Sequence, residues 1–186
     1  TSCDETSASI LRNGTILSNI IYTQEIHKKY GGVVPSIASK KHEENIFYTV
    51  IEAVNKADVN IHDIDAISVT NTPGLITCLL VGLSFAKGLA VGLNIPLIPT
   101  NHLEGHLCSI FINNKHLKYP FICLLVSGGH TQIWVIDSID DYNVISTTVD
   151  DAAGEAFDKG AKMLGLEYPG GPEIENFSYN GDSNKY

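Results

Sequence analysis

The sequence predicts an α/β protein built as two lobes of one plan. Three observations carry that reading. A hairpin signal stands near the start, in "SASILRNGTILSNIIYT" (7–23). A strand–helix–strand run with a helix rich in Gly, Ala and Leu covers 65–100. After residue 120 the order of strands followed by a helix begins again. Antiparallel hairpins on otherwise parallel sheets satisfy all three, and lobes of this kind place ligands in the cleft between them.

In chain order, Asn13-Gly14 separates two strand-like runs, the strongest short hairpin signal. "GGVVP" (31–35) is a loop. From Ser36 to about Ala57, apolar residues at 37, 46, 47, 50, 51 and 54 have helical spacing, with Pro35 at the start. "DAISVT" (65–70) is a short strand broken by "NTPG" (71–74); a helix covers 75–93, and "IPLIPT" (95–100) is a buried strand. A further helix covers about 102–112. In the second half, strands at 121–127, 131–137 and 142–149 precede a helix over 153–166 and a loop, "YPGGP" (168–172).

The 186 residues suffice for one ordinary domain or two small lobes, and a 44% hydrophobic content supports a core. The net charge of −9 argues against broad, unspecific nucleic-acid binding, while Lys28, Lys29, Lys40 and Lys41 leave room for a local basic strip. The four cysteines form no CxxC pair and read as buried free thiols of a reducing compartment. "ITCLLVGLSFAKGLAVGLNIPLI" (76–98) is apolar enough for a membrane span. Lys87 interrupts it and Pro96 ends it, so a buried helix and strand are expected instead. "TSCDET" opens the chain as a polar turn with no strand before it, and the tail 176–186 is polar and Asn-rich. The expectation is a fragment: 1–118 as a first lobe lacking its first strand, 119–175 as the start of a second lobe, and 176–186 as a truncated tail.

Several short motifs carry chemistry. In "NHLEGH" (101–106), His102 and His106 stand four apart and share one helix face, the spacing of a metal-ligand pair. Glu104 lies about 200° round the helix from His102, which argues against a zinc-protease base. A third ligand is not evident; Asp150 and Asp151 are candidates by nearness to the glycine turns. "LLVSGGH" (124–130) ends a strand in glycines whose amides can nest an anion. "TSCDET" puts Asp4 and Glu5 on a turn at the equivalent point of the first lobe. In the helix "DDAAGEAFDKGAKMLGL", Asp158 and Lys162 form an i,i+4 pair.

In this order the motifs "TSCDET", "YGGVVPSIASKKH", "HLEGH", "LLVSGGHTQ", "DDAAGEAFDKGAKMLGL" and "YPGGP" resemble the tRNA N6-adenosine threonylcarbamoyltransferase family of the bacterial TsaD type. The resemblance implies an actin-like ATPase (ASKHA) fold of two ribonuclease-H-like lobes, here with the second lobe truncated. It implies transfer of the threonylcarbamoyl group from threonylcarbamoyl-AMP to N6 of adenosine 37, in tRNAs reading codons that start with A. His102 and His106 match the family's metal histidines, for one divalent iron or zinc per subunit, with the aspartate that completes the site missing from this chain. Leu125, Val126, Ser127, Gly128 and Gly129 match its substrate loop, and Asp158 and Gly171 match two further substrate contacts. Asp4 and Glu5 match the acidic turn, where a catalytic base is expected. The resemblance also implies tRNA, TsaB-like and TsaE-like partners, a cytoplasmic location and no membrane. One departure is Thr72, where the family carries glycine; its Cβ is expected to strain the turn. Two other readings stand beside this one. The first is an inactive remnant that binds a partner through the helices at 36–57 and 75–93. The second is an actin-fold ATPase without transferase activity.

Overall fold

The computed structural model describes residues 1–114, 117–182, 184 and 185. They form a mixed α/β chain in two compact units, Thr1–Glu25 with Val33–Lys115, and Ile26–Gly32 with His116–Tyr186.

The first unit opens on an antiparallel hairpin, β1 (Glu5–Arg12) and β2 (Thr15–Thr23). Asn13 and Gly14 turn it with φ of 51° and 74°, as a two-residue primed turn requires. α1 (Pro35–Lys56) starts with proline in its first turn, where the missing N–H costs nothing. It lays Ala38, His42, Thr49 and Ala53 against the hairpin. Ala38 and Ala53 are almost wholly buried, and their small side chains bring the helix backbone close enough for Ser18 Oγ to donate to the Ala53 carbonyl at 2.6 Å. β3 (Ile67–Thr72) and β4 (Leu97–Asn101) pair in parallel across α2 (Ile76–Leu93), and α3 (His102–Asn113) follows directly. Among the described residues the two strand pairs form separate sheets.

The expectation of a buried helix and strand over 76–98 holds for one side of α2 only, where Cys78, Leu79, Gly82, Ala86 and Ala90 are buried. Ile76 and Val91 on α2 are 76% and 81% exposed, and Ile98 on β4 is 48% exposed. A two-stranded sheet covers one side of a helix only, so the apolar run keeps an open face. By length and composition α2 is long enough to cross a membrane, and it is the one such helix among the described residues. Thr72 also differs from expectation. It ends β3 with no left-handed backbone, and the special conformation falls on Gly74, with φ of 159°. A Cβ on Gly74 would stand 2.7 Å from the Ser2 carbonyl, so the glycine answers the N-terminal turn that packs on it.

The second unit is a three-stranded antiparallel sheet in the order β5 (Phe121–Val126), β6 (Thr131–Ser138), β7 (Asp141–Thr147). Leu125, Trp134 and Ile136 supply its buried side chains, with Ala152 and Ala161 from the segment beyond. α4 (Ala153–Met163) packs on α5 (Gly170–Ser178). The loop expected at 168–172 is thus the entry to a helix. Gly170 is buried against α4, where a Cβ would meet the Phe157 carbonyl at 2.5 Å, and Pro172 sits in the first turn, where proline is tolerated. Local composition signalled a turn; the α4 surface makes it a helix start.

The thiols are free but not uniformly buried: Cys78 is buried, Cys3 and Cys123 are half-buried, and Cys108 is exposed on α3.

Candidate functional site

In the first unit, Asn101 sets the histidine pair. Its side-chain oxygen accepts from the amides of Leu103 at 2.8 Å and Glu104 at 3.4 Å, an N-cap that starts α3 at His102. Leu103 and Leu107 are buried and fix the helix rotation. One turn apart, the rings of His102 and His106 lie with centroids 4.5 Å apart and planes inclined by 36°. Two imidazoles side by side suit a borderline cation such as zinc or iron. Among the described residues no group of three or more His, Cys, Asp or Glu side chains clusters as a metal site. Within the second unit Asp151 is bound to Lys159 at 2.6 Å.

The acidic turn is held from behind by groups that sequence reading missed. His42, fully buried, places Nε2 2.9 Å from the Cys3 carbonyl and Nδ1 2.7 Å from Thr6 Oγ1. A carbonyl only accepts, so Nε2 carries the proton and Nδ1 accepts from the hydroxyl. Gln24 donates through Nε2 to the Ala38 carbonyl at 3.2 Å, and its backbone amide donates to the Asp4 carbonyl at 3.2 Å. One helix residue and the end of β2 thereby fix Cys3 and Asp4. The signal was a polar residue on the buried stripe of α1, four places after Ala38. Asp4 is half-buried, and Glu5 is exposed with Oε1 accepting from Thr23 Oγ1 at 3.3 Å. Burial, and then the Asp4 carboxylate beside it, push the Cys3 thiol up to about 12.

In the second unit, β5 ends in the turn Ser127–His130. Leu125 is buried and anchors the strand, while Val126 points outward. Ser127 N–H donates to the His130 carbonyl at 2.8 Å, and the His130 amide donates to Ser127 Oγ at 3.0 Å. Among the described residues the amides of Gly128 and Gly129 have no acceptor. Neither glycine has left-handed backbone, and the segment is a turn closed by Ser127 and His130. A Cβ at either position would meet nothing within 4 Å, so the turn faces open space. Two open amides at a strand tip can receive an anionic oxygen.

Asp158 does not pair with Lys162. Its Oδ1 accepts from the Gly170 amide at 2.7 Å and caps α5, while Lys159 takes the ion pairs, to Asp151 at 2.6 Å and Glu155 at 3.1 Å. Oδ2 of Asp158 has no partner among the described residues. Gly171 is half-buried in the first turn of α5, beside this cap.

The family model described as "TsaD: tRNA N6-adenosine threonylcarbamoyltransferase" matches residues 15–186. Proteins of that name from Thermosipho africanus and Clostridioides difficile are each 56% identical over 100% and 97% of this chain, and one from Porphyromonas gingivalis is 50% identical over 100%. The chain spans 57%, 54% and 56% of those relatives, about half their length. In fold it is similar to YeaZ from Pseudomonas aeruginosa, with a TM-score of 0.53 at 16% identity, over 80% of this chain and 63% of that one.

Proposed function

Because the chain belongs to the TsaD family of tRNA N6-adenosine threonylcarbamoyltransferases, we propose that it supplies the substrate turn and metal histidines of an enzyme that moves a threonylcarbamoyl group from threonylcarbamoyl-AMP to N6 of adenosine 37. The substrates are tRNAs reading codons that start with A, and the setting is the cytoplasm. The observation that carries this is the pair of unclaimed amides at Gly128 and Gly129, on the strand tip that matches the family's substrate loop. In the reaction N6 bonds to the carbamoyl carbon, the bond from that carbon to the phosphate oxygen breaks, AMP leaves, and the N6 proton passes to a base. The amides take up charge on the phosphate. Leu125 and Val126 carry the turn, and the free Oδ2 of Asp158 accepts a ribose hydroxyl, with Gly171 beside it. Asp4 or Glu5 takes the proton. His102 and His106 would hold one divalent iron or zinc, with a further protein ligand beside them. Such a cation would polarise the carbonyl or hold the acyl-adenylate.

A TsaB-like partner belongs to the same proposal, with a TsaE-like one. Between α1 and α2 runs an open groove lined by Ile46, Phe47, Leu80, Val81 and Phe85, with Phe47 and Leu80 each 54% exposed. An apolar surface of this kind suits a protein partner.

The test is transfer by the full-length protein containing this chain, given threonylcarbamoyl-AMP and such a tRNA, with nucleosides read by mass spectrometry. Modified adenosine should appear, and His102→Ala/His106→Ala should lower bound metal and product together. A wild-type protein that makes no modified adenosine sinks the transferase reading. Nucleotide hydrolysis without tRNA would point to an actin-fold ATPase.

A further inference from the structure

The turn assigned above to the acyl-adenylate is shaped from behind by α4. A Cβ built on Gly154 would stand 2.7 Å from the Ser127 carbonyl oxygen, 2.8 Å from Gly128 Cα and 2.9 Å from Gly128 N. All three are backbone atoms, so no side-chain rotation relieves the overlap. The Gly154 amide donates to the same Ser127 carbonyl at 3.2 Å. The entrance of α4 has little freedom to back away. The Ala153 amide donates to Thr131 Oγ1 at 2.8 Å, and Thr148 Oγ1 donates to the Asp151 carbonyl at 2.9 Å. Gly154 has no left-handed backbone, so its glycine answers no need for an unusual φ. Alanine would suit the helix better. What glycine provides is the close approach of a helix to a peptide group.

We propose that Gly154 is a positioning residue for the substrate turn: its missing Cβ lets α4 press on the Ser127–Gly128 peptide and so sets the aim of the Gly128 and Gly129 amides. The inference rests on the reading of 125–129 as the acyl-adenylate turn. Gly160, on the same helix, is the internal control, because a Cβ there meets only Ile174 Cδ1 at 3.7 Å, an ordinary contact.

The experiment compares Gly154→Ala and Gly160→Ala in this chain, labelled with nitrogen-15 and titrated with AMP, by amide NMR. Gly154→Ala should move the Gly128 and Gly129 resonances and weaken AMP about tenfold or more, while Gly160→Ala holds affinity within about twofold. The proposal is overturned if Gly154→Ala leaves both resonances in place, or moves them with AMP affinity unchanged. Thr131→Val loosens the same contact without a clash and covers the case in which Gly154→Ala does not fold. It should shift the same two amides and weaken AMP by a smaller factor, and if it does neither, α4 does not hold the turn. A wild-type chain with no AMP response overturns the acyl-adenylate reading instead. The Gly128 and Gly129 shifts in Gly154→Ala then decide the positioning alone.

Discussion

His42 shows how one buried polar residue can do the work of several contacts. It bonds Thr6 Oγ1 and the Cys3 carbonyl inside a contact that also buries the polar side chains of Ser18 and Gln24. His42→Ala strands both groups and should cost about 2–4 kcal/mol in urea unfolding, given the penalty for unsatisfied buried polar groups. A loss below about 0.5 kcal/mol, the level of an ordinary surface change, would mean the network does not hold the turn. Cys3, on the same turn, makes stability depend on alkaline pH. Its thiol is pushed from 9.0 up to about 12, so the unfolded chain loses the proton first. That contribution is intact below pH 9 and drains away as pH rises toward 12. Cys3→Ser should therefore show a shallower fall in melting temperature between pH 8.5 and 10.5 than the wild type; parallel curves would refute the assignment.

At the scale of elements, α4 and α5 are joined by an acceptor rather than by charge. Asp158 caps α5 through the Gly170 amide, which separates its structural role from its proposed substrate role. Asp158→Asn keeps an oxygen for the cap and should leave the melting temperature nearly unchanged. Asp158→Ala should lose about 1 kcal/mol, the usual worth of a cap. If Oδ2 also binds a ribose hydroxyl, both substitutions weaken AMP binding, the asparagine because its amide nitrogen donates where the oxygen accepted. Equal AMP affinity across the three proteins would leave Asp158 with the cap alone. The Lys159 ion pairs are exposed, and such pairs contribute little.

For the whole molecule, the open apolar surface of the first unit is the feature with most consequence. Leu80 lies on the groove between α1 and α2 and is half-exposed, so Leu80→Asp should fold with little change in stability. Titration calorimetry with a TsaB-like partner should show affinity reduced at least about tenfold, as for a central apolar interface residue. Undiminished binding would move the partner surface away from these helices. The same surface accompanies the membrane-like composition of α2, which is apolar both on its buried side, at Cys78, Leu79, Ala86 and Ala90, and on its open side, at Ile76, Leu80 and Val91.

The sequence by itself determined the order of strands and helices as far as α4, the Asn13-Gly14 hairpin, the strand tip at Ser127 and the shared face of His102 and His106. Each follows from spacing within a few residues, the range over which periodicity and turn chemistry act. The family was legible for the same reason, since its motifs are short and contiguous. Only the tertiary structure decided what answers each polar group across the chain. His42 and Thr6 are 36 residues apart, Asp158 caps a helix that begins 12 residues later, and Gly154 presses on a peptide 26 positions upstream. Burial followed the same rule. The apolar run at 76–98 promises a core, but how much of it is covered depends on which strands reach it. Contacts between distant segments have no period in the sequence, so the packing of one element on another had to supply them.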